Sequence, residues 1–338
     1  MAKASLKSVM MVALAEMKDG QEGDIFAQLC AKEELRTKDG KLYFKVGFRD
    51  AKREVKFPVW ADSTWAVVCR DEWKVGEFYK IRGVYRDTAY GAQLEISKIR
   101  AVTTSDEADG FDPLMLRPRS KFEPQAMFDE LLALAQQHIS PPVRELVLGL
   151  FHEHRQALLT WPAATRKHHA FLGGFLEHTL SVAKTALYLA DHYGTLYDDM
   201  QPPLRKELVI AGAMLHDFGK LREIEERPEG AEYTPAGVLI GHVLQGRDML
   251  REAAGKYALD EETILRLEHI LVSHEPAPEW GAAKPPMTAE ALLVRYAVEV
   301  DTRFQQLYQV LRDEPVDGPL TSAKNVFQQR LFRGLTQK

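Results

Sequence analysis

A chain of 338 residues is long enough for two domains, and a composition 45% hydrophobic and 28% charged is that of a folded globular protein, not a fibrous or disordered one. No apolar run approaches the roughly 18–20 residues that cross a bilayer, the N-terminal VMMVALA is short and lacks a small-residue cleavage site, and two cysteines without a CxxC, Cys30 and Cys69, fit a reducing cytoplasm and exclude a cysteine zinc site. The net charge of −5 is uneven, because residues 23–103 carry 16 basic and 12 acidic side chains and leave −9 for the rest.

From Ile25 to about Thr103 the residues alternate as half-buried strands do: KLYFKVGFRD, REVKFPVWA, FYKIRGVYRD and AQLEISKIRAV, separated by turn signals such as KDGK. Some five strands in about 80 residues suggest an all-β barrel of OB-fold type over 1–103. OB-folds hold single strands with basic side chains and aromatic platforms. Lys41, Tyr43, Lys45 and Arg49 share one strand face, and Trp60, Tyr85, Arg86 and Tyr90 are further candidates. Any one of these aromatics could equally fill the barrel core.

Residues 104–124, polar and bearing Gly and Pro, read as a linker. From 125 to 338 the period changes to 3.6, with helices expected near 125–138, 141–157, 174–193, 203–219, 238–254, 260–274 and 288–311. A short hairpin or loop is expected at 227–238 and a Pro-rich loop at 275–287, where Trp280 either packs or stacks on a terminal base. The fold class is therefore multidomain, an all-β barrel followed by an all-α helical bundle.

The helical part places His178, His216, Asp217, His242, His274 and Asp301 in apolar stripes. One such residue alone is more often a hydrogen-bonded core side chain than a ligand. Six, spread over five expected helices, point to a divalent metal held by imidazole and carboxylate from facing helices. Asp217, with two oxygens, is placed to bridge two ions. Lys220 would share the His216–Asp217 face if the helix persists and could neutralise a phosphate oxygen, or it could simply end the helix. His169 either contacts the scissile phosphate and protonates a leaving group, or plays a supporting part. His269, five residues before His274, falls on another face of an ideal helix.

The order H…HD…D, as His178, His216–Asp217 and Asp301, resembles the HD-domain metal-dependent phosphohydrolases. With HHAFLGGFLEHT (168–179), LHDFGK (215–220), GVLIGHV (237–243), LVSHE (271–275) and PMTAEALLVRYA (286–297), the chain is similar to the branch that joins an OB-fold to an HD domain, the YhaM-type 3′–5′ exoribonucleases. That resemblance implies a metal-dependent 3′–5′ exonuclease acting on single-stranded RNA, and on single-stranded DNA as a further substrate, releasing nucleoside 5′-monophosphates. The alternative is hydrolysis of small nucleotides or cyclic dinucleotides. It implies Mn²⁺ or Mg²⁺, with Fe, Co or Zn also suited to such ligands. His242 and His274 fall where two-metal members place extra ligands. This chain departs from the family at Glu275, where a second histidine is common, and at Val298, near which an acid is common. Single-stranded nucleic acid is the expected partner, no membrane is expected, and the apolar helices leave room for a homo-oligomer.

Overall fold

The structure, a computed structural model, describes residues 11–88, 91–165, 168–227, 230–277, 279, 281–313 and 318–335. It divides into two compact units, Met1–Pro118 with Arg227–Gly230, and Arg119–Glu226 with Ala231–Lys338.

In the first unit the strands are β1 (Glu22–Arg36), β2 (Leu42–Arg49), β3 (Glu54–Trp60), β4 (Phe78–Thr88) and β5 (Gly91–Ala101), with helix α1 (Ala66–Asp71) between β3 and β4. All neighbours are antiparallel in the order β3-β2-β1-β4-β5. β1 is long because it serves two partners: Glu22–Gln28 pair with β4, and Gln28–Arg36 pair with β2. A bulge between Leu29 and Ala31 lets it bend from one to the other. The end strands β3 and β5 come together without a ladder. This is the partly open five-stranded barrel of an OB-fold.

Period-two alternation supplies the interior. Ile25, Ala27, Leu29, Phe44, Val46, Phe48, Val55, Phe57, Val59, Tyr79 and Ile81 all point inward and are buried. Trp73, after α1, meets Phe48 edge-on at 5.5 Å between ring centroids. Lys32 Nζ donates to the carbonyls of Cys69, Arg70 and Trp73 at 3.0, 3.2 and 2.6 Å, satisfying acceptors that the end of α1 leaves open.

The segment expected to be a linker is largely part of this unit. Residues 104–109 form a 3-10 turn closed by a Thr103–Asp106 capping box. Arg100 grips Asp106 with two bonds of 2.7 and 2.6 Å, and Phe111 packs its ring against Phe26 and Phe78. A half-buried aromatic and a paired carboxylate tie down what composition alone marks as loop.

The second unit contains α2 (Pro124–His138), α3 (Val143–Glu153), α4 (Arg155–Leu158), α5 (Gly174–Leu196), α6 (Lys206–Leu215) and α7 (Lys220–Glu223). A short hairpin follows, β6 (Ile224–Arg227) and β7 (Gly230–Tyr233), then α8 (Pro235–Ile240), α9 (His242–Ala254), α10 (Glu261–Ser273) and α11 (Ala289–Asp313). α6 lies at the centre, packed by α2, α3, α5, α10 and α11, and every residue from Leu208 to Leu215 is buried. No helix among the described residues is long and apolar enough to cross a membrane.

Two helices are interrupted where their periodicity runs on, and both breaks matter. The expected 203–219 helix ends at Leu215, and His216–Gly219 form a turn before α7. The expected 238–254 helix breaks at Gly241, whose φ of +79° is open to glycine, so His242 opens α9 rather than lying inside a helix.

Candidate metal centre

The six residues picked out as ligands converge although five helices or helix ends carry them. His178 lies in the first turns of α5, His216 and Asp217 in the turn after α6, His242 at the start of α9, His274 just past α10, and Asp301 midway along α11. His178, His216, Asp217, His242 and His274 are buried.

Asp217 is the hub. Its Oδ2 lies 3.6 Å from His178 Nε2 and 3.5 Å from His216 Nε2. Its Oδ1 lies 3.4 Å from His242 Nε2 and 3.6 Å from His274 Nε2. One carboxylate thus faces a separate imidazole pair with each oxygen. Asp301 Oδ2 meets the other nitrogen of the His178 ring, Nδ1, at 2.7 Å, and with His169 forms an adjoining group of donors. Glu275 Oε1 joins the second at 3.4 Å from His242 Nε2 and 3.9 Å from His274 Nε2, so the departure from a family histidine still sets an oxygen donor there.

The proton inventory asks for positive charge between these groups. His216 Nδ1 donates to Ala213 O at 2.8 Å and His274 Nδ1 to Leu271 O at 2.8 Å, so each ring uses Nδ1 on its own backbone and turns Nε2 toward the centre. His178 Nε2 stands 3.1 Å from His216 Nε2 while its Nδ1 faces the Asp301 carboxylate. A neutral His178 ring has one N–H for two acceptors. The Nε2 atoms of His242 and His274 are buried with no hydrogen-bond partner, an arrangement that costs free energy unless something satisfies them. Imidazole nitrogens and carboxylate oxygens in this ratio are the donor set of divalent first-row metals. The residues present fit such ions.

Charge tells the same story. Burial would raise the Asp217 carboxyl, but Lys220 and His216 beside it hold it well below the usual range. Burial opposes ionisation of Glu275 too, yet His242 and His274 bring it down to about 2. Against its own burial and the nearby Lys220, His242 is pushed up to about 9 by Glu223, Glu275 and Asp217. Burial pushes His216 down to about 4, keeping that ring neutral.

Around these residues a second layer fixes their orientation. Glu223 Oε1 accepts from the His242 backbone N–H at 2.9 Å and lies 3.0 Å from its Nδ1. His169 Nε2 is 3.0 Å from Asp301 Oδ2, with Glu177 Oε1 3.6 Å from its Nδ1, and Ser120 Oγ donates to Glu177 at 2.5 Å. His169 also has φ +48°, an uncommon backbone for a non-glycine residue that its surroundings must enforce. Lys220 is buried, its Nζ 3.6 Å from Asp217 Oδ2. It opens α7 and does not share a helix with His216, yet the intervening turn brings it to the same carboxylate. Trp161 Nε1 donates to its carbonyl at 3.1 Å.

Two residues escape sequence reading. His168 sits with its ring 5.4 Å from that of His178 and is driven down to about 2 by burial; the adjacent HH was its only signal. Glu223, the partner of His242, carried none, because the contact joins residues separated by a hairpin. His269 instead accepts from Met287 N–H at 2.8 Å.

Gly219 makes the convergence possible. Its φ of −61° suits any residue, but a Cβ there would lie 1.9 Å from His242 O and 2.4 Å from Gly246 N. Gly219→Ala is therefore expected to destabilise the protein by about 3 kcal/mol and to reduce its bound metal by displacing His242. Gly255→Ala, whose Cβ would lie 3.9 Å from Glu252 O, should do neither. Denaturant unfolding with metal analysis of both variants checks this; equal behaviour would exclude a contact role for Gly219.

In the barrel, Tyr43 and Trp60 form a cross-strand pair with centroids 5.1 Å apart, Trp60 is 45% exposed, and Lys41, just before β2, and Lys45, on it, are exposed. Arg86 pairs with Glu95 at 3.2 Å. Tyr85 is a correction: it follows Tyr79 and Ile81 inward, is buried in the barrel core under the Arg53 guanidinium, and offers no stacking surface. Tyr90 and Trp280 lie outside the described residues.

The HD-domain family model matches residues 175–302, the span from α5 into α11 that holds all six of these residues. HD domains are those of metal-dependent phosphohydrolases. The first unit was also matched to two solved structures. One is the solution structure of the second OB-fold domain of replication protein A from Methanococcus maripaludis, at 20% identity over 28% of this chain and 97% of that one, TM-score 0.22. The other is a crystal structure of a domain of the same organism's replication protein A, at 14% identity over 28% of this chain and 99% of that one, TM-score 0.23.

Proposed function

We propose that this chain is a metal-dependent 3′–5′ exonuclease on single-stranded RNA, and on single-stranded DNA to a lesser extent, that releases nucleoside 5′-monophosphates. The observation that carries the reading is the Asp217 carboxylate set between two imidazole pairs inside an HD domain. The OB-type barrel in the same chain argues for a strand rather than a small nucleotide, since a small substrate needs no strand-holding domain.

His178, His216, Asp217 and Asp301 would hold one divalent ion; Asp217, His242, His274 and Glu275 would hold a second. Mn²⁺ or Mg²⁺ in such a site activates water toward phosphorus and offsets charge on the phosphate. The residues themselves do the rest. Lys220 presents a buried ammonium beside Asp217, where it can balance charge that builds on a nonbridging phosphate oxygen. Glu223 and Asp301 fix the rings of His242 and His178. His169, held by Asp301, would meet the scissile phosphate or the departing O3′. In the reaction water's oxygen bonds to phosphorus, the P–O3′ bond breaks, and O3′ takes up a proton.

Incubating 5′-labelled single-stranded RNA with the full chain and Mn²⁺ tests this. The expected result is progressive shortening from the 3′ end with release of nucleoside monophosphate, stopped by EDTA. Hydrolysis of dinucleotides or cyclic dinucleotides with intact long strands would replace this reading with the small-nucleotide one.

A further inference from the structure

The barrel carries a cationic cleft away from the Tyr43–Trp60 pair. It has a volume of about 500 Å³ and is walled by Trp65, Lys80, Arg82, Lys98 and Arg100, with Asp24 at one side. In the β4–β5 ladder Lys80 stands directly opposite Arg100, and Arg82 directly opposite Lys98. Like charges facing each other across a ladder are destabilising, so a two-by-two block of cations needs counter-charge.

The protein supplies part of it. Asp24 takes Arg82 in two bonds of 2.7 and 2.6 Å. Asp106 takes Arg100 and lies 3.3 Å from Lys80, whose shorter contact is to Asp109 at 2.6 Å. Three carboxylates serve four cations, and Lys98 is exposed. The pairs also hold Arg82 and Arg100 in fixed poses while leaving them 34% and 49% accessible. Their guanidinium groups are thus positioned before any ligand arrives, which reduces the ordering cost of binding.

The shape of the cleft follows from local structure. A bulge between Arg82 and Gly83 kinks β4, and at Gly83 a Cβ would meet Glu95 O at 2.7 Å. Trp65 forms the aromatic wall, its indole fixed by a 3.0 Å bond from Nε1 to Ile96 O. Cations beside an aromatic platform are the elements with which proteins hold single strands.

The geometry points to this β4–β5 cleft, rather than the β2 face, as the site that grips the phosphate backbone of a single strand. This rests on the strand-holding part of the proposed function. Fluorescence anisotropy of labelled poly(U) RNA on the full chain, in EDTA so that no strand is cut, tests it. Lys98→Ala is expected to weaken binding several-fold and to flatten the dependence of log K on log salt by about 0.7, the loss of one phosphate contact. Lys98→Glu should weaken it by about tenfold, while Lys41→Glu with Lys45→Glu on β2 should change it less than twofold. Among the described residues Lys98 makes no salt bridge, only a weaker attraction to Asp24, so its variants report mainly on the ligand and not on folding. If Lys98→Glu binds like wild type while the β2 pair loses affinity, the cleft assignment is overturned and strand holding stands. If inorganic phosphate displaces the RNA at a concentration that leaves ionic strength unchanged, the cleft takes small anions instead. If wild type binds no RNA, strand holding itself fails, and the assignment with it.

Discussion

Asp217→Asn is expected to abolish phosphodiester hydrolysis, lowering the rate by well over ~100-fold, the upper range seen when only an outer-shell partner of a metal ligand is lost. The reason is specific to its position. Each Asp217 oxygen faces a different histidine pair, so one change removes a donor from both groups at once. Asp301→Asn removes a donor only from the His178 side and should leave the His242–His274–Glu275 group able to hold an ion. Metal analysis of the two purified variants should therefore give less metal in Asp217→Asn than in Asp301→Asn. Asparagine keeps the shape of aspartate, and circular dichroism should show both variants folded. A Asp217→Asn protein with its full metal complement and normal activity would remove Asp217 from the centre of the site and the proposed function with it.

Loading metal into the metal-free protein at pH 7.5 is expected to release about one proton per chain from His242. In the metal-free state that ring is pushed up to about 9, so it holds a proton at neutral pH, and a ligand must give that proton up. The sign follows directly. A group raised in the folded state adds stability that is complete below its unfolded value, about 6.5, and is lost as pH climbs through about 9. The metal-free protein should thus weaken between these two values while metal affinity rises, by about tenfold per pH unit. Calorimetric titration of Mn²⁺ in buffers of different ionisation enthalpy counts the protons, and His242→Gln should lower the count. No proton release from wild type would mean that His242 is not a ligand.

The architecture was largely legible before any coordinates. Alternating runs such as KLYFKVGFRD can bury only one face, and the change to a 3.6 period after residue 124 marks the helical unit. That these six residues have cause to meet was legible for a related reason: an imidazole or carboxylate in an apolar stripe carries a desolvation cost that calls for a partner. Periodicity failed where a glycine or a turn cut a helix short. HDFG continues the apolar pattern of α6, but its chain turns, and that turn is what brings Lys220 beside Asp217. Tyr85 was misplaced because an aromatic on an alternating strand serves core or surface equally until the inward face is known.

The sequence by itself determined the two kinds of unit, their order, and the residues with cause to meet, because burial patterns and residue chemistry are local properties. Only the tertiary structure decided which atoms face which: Asp217 dividing its oxygens between two histidine pairs, Glu275 setting an oxygen beside His242 and His274, Glu223 reaching His242 across a hairpin, and four cations gathered over the β4–β5 ladder. Those relations depend on strand register and on helix approach, as at Gly219 against His242 O, which arise between segments distant along the chain.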